Sequence, residues 1–363
     1  MSLRRYLSLG LLCLLLAAHV AVVGCGREAD DVVSPPETEF TEPQLAALVT
    51  ALPGAPPMPE GFESYERAQA AVMSGEVPMM DVNPPLPEGV KETKDVEYGN
   101  AGGDRPLLLD LYRPENVDGP VPGIVFIHGG GWEQGNRADM RFYAVRFAAE
   151  GYVTVTISYR LADEAKFPAA VQDAKCAVRW MRANAAELGV DPDRIAVSGN
   201  SAGGHLSMMV GYASGIPELE GDGGHPGVSS VVQAVVNFYG PVDLTTAYAL
   251  SRPEPAKFLG MGYDQNPDLF DMASPLHHLS KGDPPTLILH GVIDELVPIR
   301  QADRLAARLK ELGIPYLYDR YPGWPHTMDL ARDVNVRCRF YMNEFFNRHL
   351  RDGTADPEPA AQE

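Results

Sequence analysis

The sequence is poor in cysteine, tryptophan and basic residues. Its 363 residues include four Cys and three Trp, and 49 acids against 30 Lys and Arg leave a net charge of −19. This excess of acid argues against a nucleic-acid groove or a face for anionic lipid, because both need clustered positive charge. No CxxC or Cys/His cluster predicts a zinc site. Beyond residue 25 only Cys176 and Cys338 remain, and the apolar spacing around Cys176 favours a buried free thiol over a disulfide.

The first 25 residues differ from the rest of the chain, where no run is apolar enough to cross a bilayer. Arg4 and Arg5 precede a leucine-rich stretch that ends in Val-Val-Gly-Cys at 22–25, a pattern typical of an export signal. The ending is similar to the cleavage box of bacterial lipoproteins; an ordinary secretory signal and an uncleaved anchor are the alternatives. We expect residues 1–24 to be removed and lipid on Cys25 to attach the protein to the cell envelope, with Gly26 favouring the outer membrane.

Composition divides the remaining chain into three parts. Residues 25–88 are rich in proline and acids and predict a semi-rigid, extended tether. Helical patterns at 42–52 and 64–73 interrupt this tether, and they either cap a site or pack on the flank of the body. Residues 89–351 predict one folded domain, and the polar residues 352–363 predict a disordered tail.

Strand-like and helix-like patterns alternate through the predicted domain. Continuous apolar runs such as 123–127 are typical of strands buried on both faces of a parallel sheet. The alternation predicts an α/β fold with a mostly parallel, doubly wound sheet of eight strands flanked by helices. Ligands of such sheets bind beyond the carboxyl ends of the strands. The predicted strands are 94–98, 107–112, 123–128, 153–158, 194–198, 231–238, 286–290 and 316–321, and the predicted helices are 137–150, 168–188, 202–213, 299–312 and 328–349.

A strand, a sharp turn and a helix surround Ser201. Residues 199–203 read Gly-Asn-Ser-Ala-Gly between the predicted strand 194–198 and the predicted helix 202–213. Gly-x-Ser-x-Gly in this context is the nucleophile elbow, which holds a serine oxygen over the sheet edge at the positive end of the helix. The pattern therefore predicts Ser201 as a nucleophile.

A glycine-rich loop follows the predicted strand at 123–128. Residues 128–132 read His-Gly-Gly-Gly-Trp, and no Gly-Lys-Ser/Thr follows that would indicate a phosphate loop. Attack on an acyl carbon places negative charge on the carbonyl oxygen, which unhindered backbone N–H groups stabilise. We therefore predict that the amides of Gly130, Gly131 and Ala202 form an oxyanion hole. His128 is interpreted as pinning this loop.

A serine nucleophile needs a base and an acid that orients the base. His326 follows the last predicted strand and is the best candidate for the base. Asp294 follows the strand before it and is favoured as the acid over Glu295 and Asp243. The order Ser201, Asp294, His326 is the one expected when each residue follows a strand of this kind of sheet.

From about residue 92 to 348 the sequence resembles the α/β-hydrolase superfamily, specifically carboxylesterases with a His-Gly-Gly-Gly-Trp oxyanion loop. It is most similar to the bacterial feruloyl-esterase-like and acetyl-esterase branch, and more distantly to the hormone-sensitive lipase family. One departure is that Trp324 and Pro325 precede His326, where the family usually has Gly-x-Gly-His. Further motifs of the resemblance are Leu-Asp-Leu-Tyr-Arg-Pro at 109–114, Tyr-Gly-Pro-Val-Asp at 239–243 and Asp-Pro-Pro-Thr-Leu at 283–287.

The resemblance implies a carboxylesterase that needs no cofactor or metal and acts on short acyl or feruloyl esters of polysaccharides or small molecules. Trp132 and Trp324, each next to a predicted site residue, either offer a stacking surface for a sugar or phenolic ring or simply pack. Two other functions stay open: a catalytically silent binding protein on the same fold, and a serine peptidase of the prolyl-oligopeptidase type. The acyl group, the alcohol and the oligomeric state do not follow from these residues.

Overall fold

The computed structural model of the chain describes residues 39–102 and 105–351. The predicted export signal at 1–24, the predicted lipid site Cys25 and the predicted tail at 352–363 lie outside the described residues. Among the helices that the structure describes, none has both the length and the hydropathy needed to span a membrane.

An eight-stranded sheet forms the centre of the molecule. Strand β2 runs antiparallel to both of its neighbours, β1 and β4, and all other neighbouring strands are parallel. The order across the sheet is β1-β2-β4-β3-β5-β6-β7-β8, which confirms the predicted mostly parallel, doubly wound architecture. The strands are β1 (Val90–Asn100), β2 (Pro106–Pro114), β3 (Val121–Ile127), β4 (Val153–Ile157), β5 (Val190–Asn200), β6 (Ala234–Phe238), β7 (Thr286–Gly291) and β8 (Tyr316–Tyr321).

Helices cover both faces of the sheet. All five predicted helical stretches are present within a few residues of their predicted bounds, whereas the short helices between 217 and 278 were not predicted. Each of those spans four to seven residues, too few to show a helical periodicity. The α-helices are α1 (Glu42–Ala46), α2 (Tyr65–Ser74), α3 (Arg141–Ala149), α4 (Ala169–Ala183), α5 (Ala185–Leu188), α6 (Ala202–Tyr212), α7 (Pro217–Glu220), α8 (Ala247–Leu250), α9 (Pro253–Leu259), α10 (Pro267–Met272), α11 (Pro275–His278), α12 (Arg300–Leu312) and α13 (Arg332–Phe346). Short 3₁₀ turns occur at Arg137–Met140, Tyr263–Gln265 and Met328–Leu330, and a π turn at Asn347–Arg351.

Two hydrophobic cores lie on opposite faces of the sheet. Successive residues of β3 alternate between them: Val125 and Ile127 belong to one core, and Ile124 and Phe126 belong to the other. All four side chains are fully buried. A strand with both faces covered reads as a continuous apolar run, which is why such runs in the sequence identified the central strands. Cys176 and Cys338 are buried in different cores as free thiols, so the favoured prediction for Cys176 is confirmed.

Residues 39–88, which we call the leader segment, lie against the domain. The backbone amide of Thr50 donates to the carbonyl of Tyr318 on the edge strand β8 at 2.8 Å. Prolines of the segment accept further bonds: Pro78 O from the Arg332 amide at 2.8 Å, and Pro59 O from Trp324 Nε1 at 3.2 Å. For these residues the structure therefore differs from the extended tether that composition predicted. Proline lacks an N–H, but its carbonyl still accepts, so a proline-rich stretch can dock through its acceptors.

Candidate active site

A strained turn between β5 and α6 presents Ser201. Its backbone has φ of +54°, in the left-handed region that non-glycine residues rarely adopt. The flanking glycines are dictated by space: a Cβ on Gly199 would lie 2.3 Å from the Gly203 carbonyl oxygen, and one on Gly203 would lie 2.1 Å from that of Ile127. The turn is held by the Ser201 amide, which donates to the Phe238 carbonyl of β6 at 2.8 Å. The serine oxygen thus stands at the carboxyl edge of the sheet, as the motif predicts.

His326 and Asp294 meet this serine, although up to 125 residues separate the partners in the chain. His326 Nε2 lies 3.0 Å from Ser201 Oγ, and His326 Nδ1 lies 2.6 Å from Asp294 Oδ2. With its proton on Nδ1, the imidazole donates to the carboxylate and accepts from the serine hydroxyl. The structure therefore brings the three predicted residues into one hydrogen-bonded row, the arrangement a general base requires.

Asp294 is buried but well supplied with donors. Its Oδ1 accepts from the backbone amides of Leu296 and Val297 at 2.9 and 2.8 Å. Its Oδ2 accepts from His326 and lies 3.2 Å from His290 Nε2. Burial alone raises the pKa of Asp294, but the neighbouring His326 and the hydrogen bonds from both histidines overcome this and hold the pKa of that carboxyl below its ordinary value. The group is therefore an anion that orients His326.

The loops after β7 and β8 approach each other closely because the last residue of β7 is a glycine. A Cβ on Gly291 would lie 2.1 Å from the carbonyl oxygen of Trp324. That same carbonyl accepts from the Ile293 amide at 3.2 Å. The glycine thus lets the Asp294 loop and the His326 loop share one backbone contact, and this sets the spacing of the two side chains.

The two other acids weighed for this role lie elsewhere. Asp243 is buried, but its Oδ2 lies 2.7 Å from Arg304 and its Oδ1 accepts from Thr245. Glu295 is exposed to solvent. Asp243 therefore belongs to a separate ion pair, and Asp294 is the carboxylate on His326.

The glycine loop after β3 lies beside the elbow. A Cβ on Gly129 would lie 2.8 Å from the Asn200 carbonyl oxygen, and Gly130 and Gly131 have φ of +106° and +60°. Within the described residues, the amides of Gly130, Gly131 and Ala202 donate to no backbone acceptor, and Ala202 is the first residue of α6, where amides lack a partner within the helix. These three predicted donors are thus free to bind an anionic oxygen.

His128 contacts the backbone of the glycine loop and packs against Tyr159. Its ring is buried, with Nδ1 2.7 Å from the Gly129 carbonyl oxygen, and it stacks on Tyr159 with ring centroids 4.3 Å apart. The Tyr159 hydroxyl donates to the His128 carbonyl at 3.1 Å. Burial lowers the pKa of His128, so the ring is neutral. These contacts agree with the interpretation that His128 pins the loop.

Neither tryptophan offers an open stacking face, which agrees with the alternative that both rings simply pack. Trp132 is 3% exposed and stacks on Phe258 with ring centroids 4.6 Å apart. Trp324 is 6% exposed and meets Phe62 of the leader segment edge to face at 5.3 Å. Both rings fill space between elements that are distant in the chain.

Tyr239 and Asp329 support the base and were not identified from the sequence. The Tyr239 ring packs on His326 with centroids 4.5 Å apart, and its hydroxyl donates to buried Asp329. Asp329 also accepts from the Tyr143 hydroxyl at 3.1 Å. Tyr239 has φ of +41°, a strained value for a bulky residue, and such strain is typical of functional sites. The Tyr-Gly-Pro sequence after β6 was visible, but nothing in it indicated contact with His326.

Comparison with known proteins places this geometry in a family. The BD-FAE family model matches residues 109–309, more than half of the chain. Esterase LipC of Mycobacterium tuberculosis is 36% identical over 241 residues, which are 63% of this chain and 59% of LipC. Esterase LipQ of the same organism is 32% identical over 280 residues, which are 75% of this chain and 66% of LipQ. The chain thus spans about three fifths of the length of these curated relatives.

Solved structures agree with the family match. A truncated carbohydrate esterase from gut microbiota superposes with a TM-score of 0.63 at 26% identity, covering 75% of this chain and 100% of that one. Together with the eight-stranded sheet, this likeness confirms the α/β-hydrolase fold. The chain belongs to the BD-FAE family of α/β-hydrolase proteins.

Proposed function

We propose that the protein is a serine carboxylic-ester hydrolase that works through an acyl-enzyme. The observation that carries the proposal is the row Ser201–His326–Asp294, joined by contacts of 3.0 and 2.6 Å. It stands beside three amides that have no backbone acceptor in the part of the chain that the structure describes. The esterase names of its relatives support the same reaction class.

In the first step, Ser201 Oγ attacks the ester carbonyl carbon while His326 Nε2 takes the hydroxyl proton. The amides of Gly130, Gly131 and Ala202 hold the negative oxygen of the tetrahedral intermediate; losing one such donor costs about 10²–10³-fold in rate in other enzymes. When the carbon–oxygen bond to the alcohol breaks, His326 returns the proton to the departing oxygen. The acyl group is then bonded to Ser201.

In the second step, water replaces the alcohol. His326 takes a proton from the water as it attacks the acyl carbon, and then gives that proton to Ser201 Oγ as the carboxylic acid leaves. Throughout the cycle Asp294 keeps the Nδ1 proton in place and stabilises the imidazolium.

For the substrate we propose short acyl groups, acetyl above all, or feruloyl groups on polysaccharides or small molecules. The similarity to a carbohydrate esterase and to the BD-FAE family supports this class.

We also propose export and lipid anchoring at Cys25, which the pattern at 1–25 supports. Membrane fractionation of the wild type and of Cys25→Ala tests the anchor. Loss of the variant from the membrane fraction is expected; equal fractionation would contradict the anchor.

The test of the proposed function uses purified protein and the variant Ser201→Ala. We expect the wild type to react with a fluorophosphonate probe and to hydrolyse p-nitrophenyl esters, with activity highest for short acyl chains, while the variant does neither and keeps its melting temperature. Methyl ferulate and acetylated xylan then separate the phenolic from the acetyl branch. A wild type inert to the probe and to every ester would instead support a silent binding protein.

A further inference from the structure

A small apolar cavity lies between the leader segment and the loop that carries His326. We call it the leader cavity; its volume is about 90 Å³. The leader segment supplies one wall, including Phe62, Tyr65 and Val72. The opposite wall includes His326 and Met328. The cavity therefore joins a segment outside the matched family region to the side chain that moves the proton.

The position of the cavity relates it to one half of an ester. His326 delivers its proton to the departing alcohol oxygen, so that oxygen lies within hydrogen-bonding distance of Nε2 in the reacting complex. Groups attached to that oxygen extend on the His326 side, whereas the acyl carbonyl faces Gly130 and Gly131. We propose that the leader cavity binds the alkyl part of the leaving alcohol and that the leader segment sets selectivity for it. This inference rests on the proposed function.

The size of the cavity restricts the alkyl group. A cavity of about 150 Å³ binds benzene. A space of about 90 Å³ is smaller, so it suits a short alkyl chain better than a ring or a long chain. The apolar lining residues Val72, Leu296 and Met328 favour such a chain over a sugar hydroxyl.

The cavity wall also carries a hydrogen-bonded pair of polar side chains, Tyr65 and Gln69. Gln69 Nε2 donates to the Tyr65 hydroxyl at 2.8 Å, and both side chains are half-buried on α2. Burial raises the pKa of Tyr65, and the carboxylates of Glu295 and Asp294 raise it further, so the phenol stays protonated. The Tyr65 hydroxyl is thus a neutral donor in a residue of the cavity wall, near the carboxylates of Asp294 and Glu295.

The leader wall is held firmly enough to act as a template. A Cβ on Gly61 would lie 2.1 Å from the Pro322 carbonyl oxygen, so only glycine permits this approach of the two backbones. The Phe62 amide donates to the Gly323 carbonyl at 2.8 Å, and the Phe62 ring packs on Trp324. Trp324, the departure from the family pattern before His326, is therefore the residue on which the leader segment rests.

The test compares acetates of methanol, 1-propanol and 1-hexanol, which share one acetyl-enzyme and differ only in the alcohol. In the wild type we expect kcat/KM to be highest for propyl acetate. Ala68→Leu, which fills the cavity from α2, is expected to lower the ratio of propyl to methyl acetate about tenfold. Val72→Ala, which enlarges it, is expected to shift the preference toward hexyl acetate. Ala70→Leu places the same side chain on the exposed side of α2 and should keep the wild-type ratio.

Melting temperatures of all variants establish that each is folded, and the two cavity variants act in opposite directions, so a loss of stability cannot mimic both shifts. Equal ratios in the wild type and both cavity variants, with esterase activity present, would overturn the leader cavity as an alcohol site and leave the proposed function standing. Equal shifts in Ala68→Leu and Ala70→Leu would also overturn it. A wild type that hydrolyses none of the acetates would overturn the proposed function and this inference together.

Discussion

The turn that holds Ser201 and the docking point of the leader segment both depend on a glycine that lets two backbones approach closely, but their surroundings differ. A Cβ on Gly203 or on Gly61 would in each case lie 2.1 Å from a backbone oxygen, of Ile127 and Pro322 respectively. Gly203 lies at the start of buried α6, between β3 and the elbow, and has no room to move. Gly61 belongs to a segment whose neighbouring residues are half-exposed. The elbow that holds Ser201 is therefore fixed by packed backbone, whereas the leader segment docks at the surface, where it can shift.

The largest expected effect lies in the domain. Asp294→Asn should lower kcat about 10⁴-fold, because asparagine no longer favours the tautomer with a proton on His326 Nδ1. Steady-state hydrolysis of p-nitrophenyl acetate measures this. Asp243→Asn is the matched control, a second buried carboxylate at the same sheet edge that pairs with Arg304. A similar loss of kcat in both variants would mean that general destabilisation, and not the contact with His326, is responsible.

Substituting each of the two glycines tests how differently the elbow and the leader segment respond to a Cβ. Gly203→Ala should lower the free energy of unfolding by about 3 kcal/mol and abolish turnover, because the clash falls on packed backbone. Gly61→Ala should cost about 1 kcal/mol, because the leader segment can shift outward. Urea titration measures both values, and limited proteolysis should cut the leader segment faster in Gly61→Ala. If Gly61→Ala instead lost all hydrolysis of methyl acetate, the docked leader segment would be required for the reaction itself.

The smallest expected effects concern charge pairs. The pKa of Asp243 lies below its ordinary value: burial raises it, but the hydrogen bonds from His277 and Thr245 and the charge of Arg304 outweigh burial. The unfolded chain therefore binds a proton that the folded chain does not, so this stability is present above the ordinary Asp pKa and is lost as pH falls below it.

Urea titrations from about pH 6 to 3 should show a shallower acid loss of stability in Asp243→Asn than in the wild type. Glu76→Gln breaks the pair with Arg67 in the leader segment, where both side chains are about half exposed. Its effect should be within the error of the titration, because water screens exposed pairs. If the free energy of unfolding of Asp243→Asn fell with acid as steeply as that of the wild type, the lowered pKa assigned to Asp243 would be refuted.

Much of the site was predictable because its residues follow buried strands. The apolar runs of β3, β5 and β7 located the sheet, and Gly-x-Ser-x-Gly and His-Gly-Gly-Gly then lay at known ends of strands. Tyr239 and Asp329 were missed, since the hydrogen bond between them and the packing of Tyr239 on His326 join loops about 90 residues apart. The choice between stacking surface and packing for Trp132 and Trp324 stayed open in the sequence, because local sequence does not show which distant ring will cover them.

The fold class and the residues Ser201, Asp294 and His326 could be predicted from the sequence, because apolar strand runs and small-residue turns are local properties of the chain. The position of the proline-rich leader segment, its support by Trp324 and the cavity beside His326 emerged from the three-dimensional packing. Those outcomes depend on which carbonyls, rings and glycines meet across long separations, and such matching is a property of packed surfaces that no short window of sequence contains.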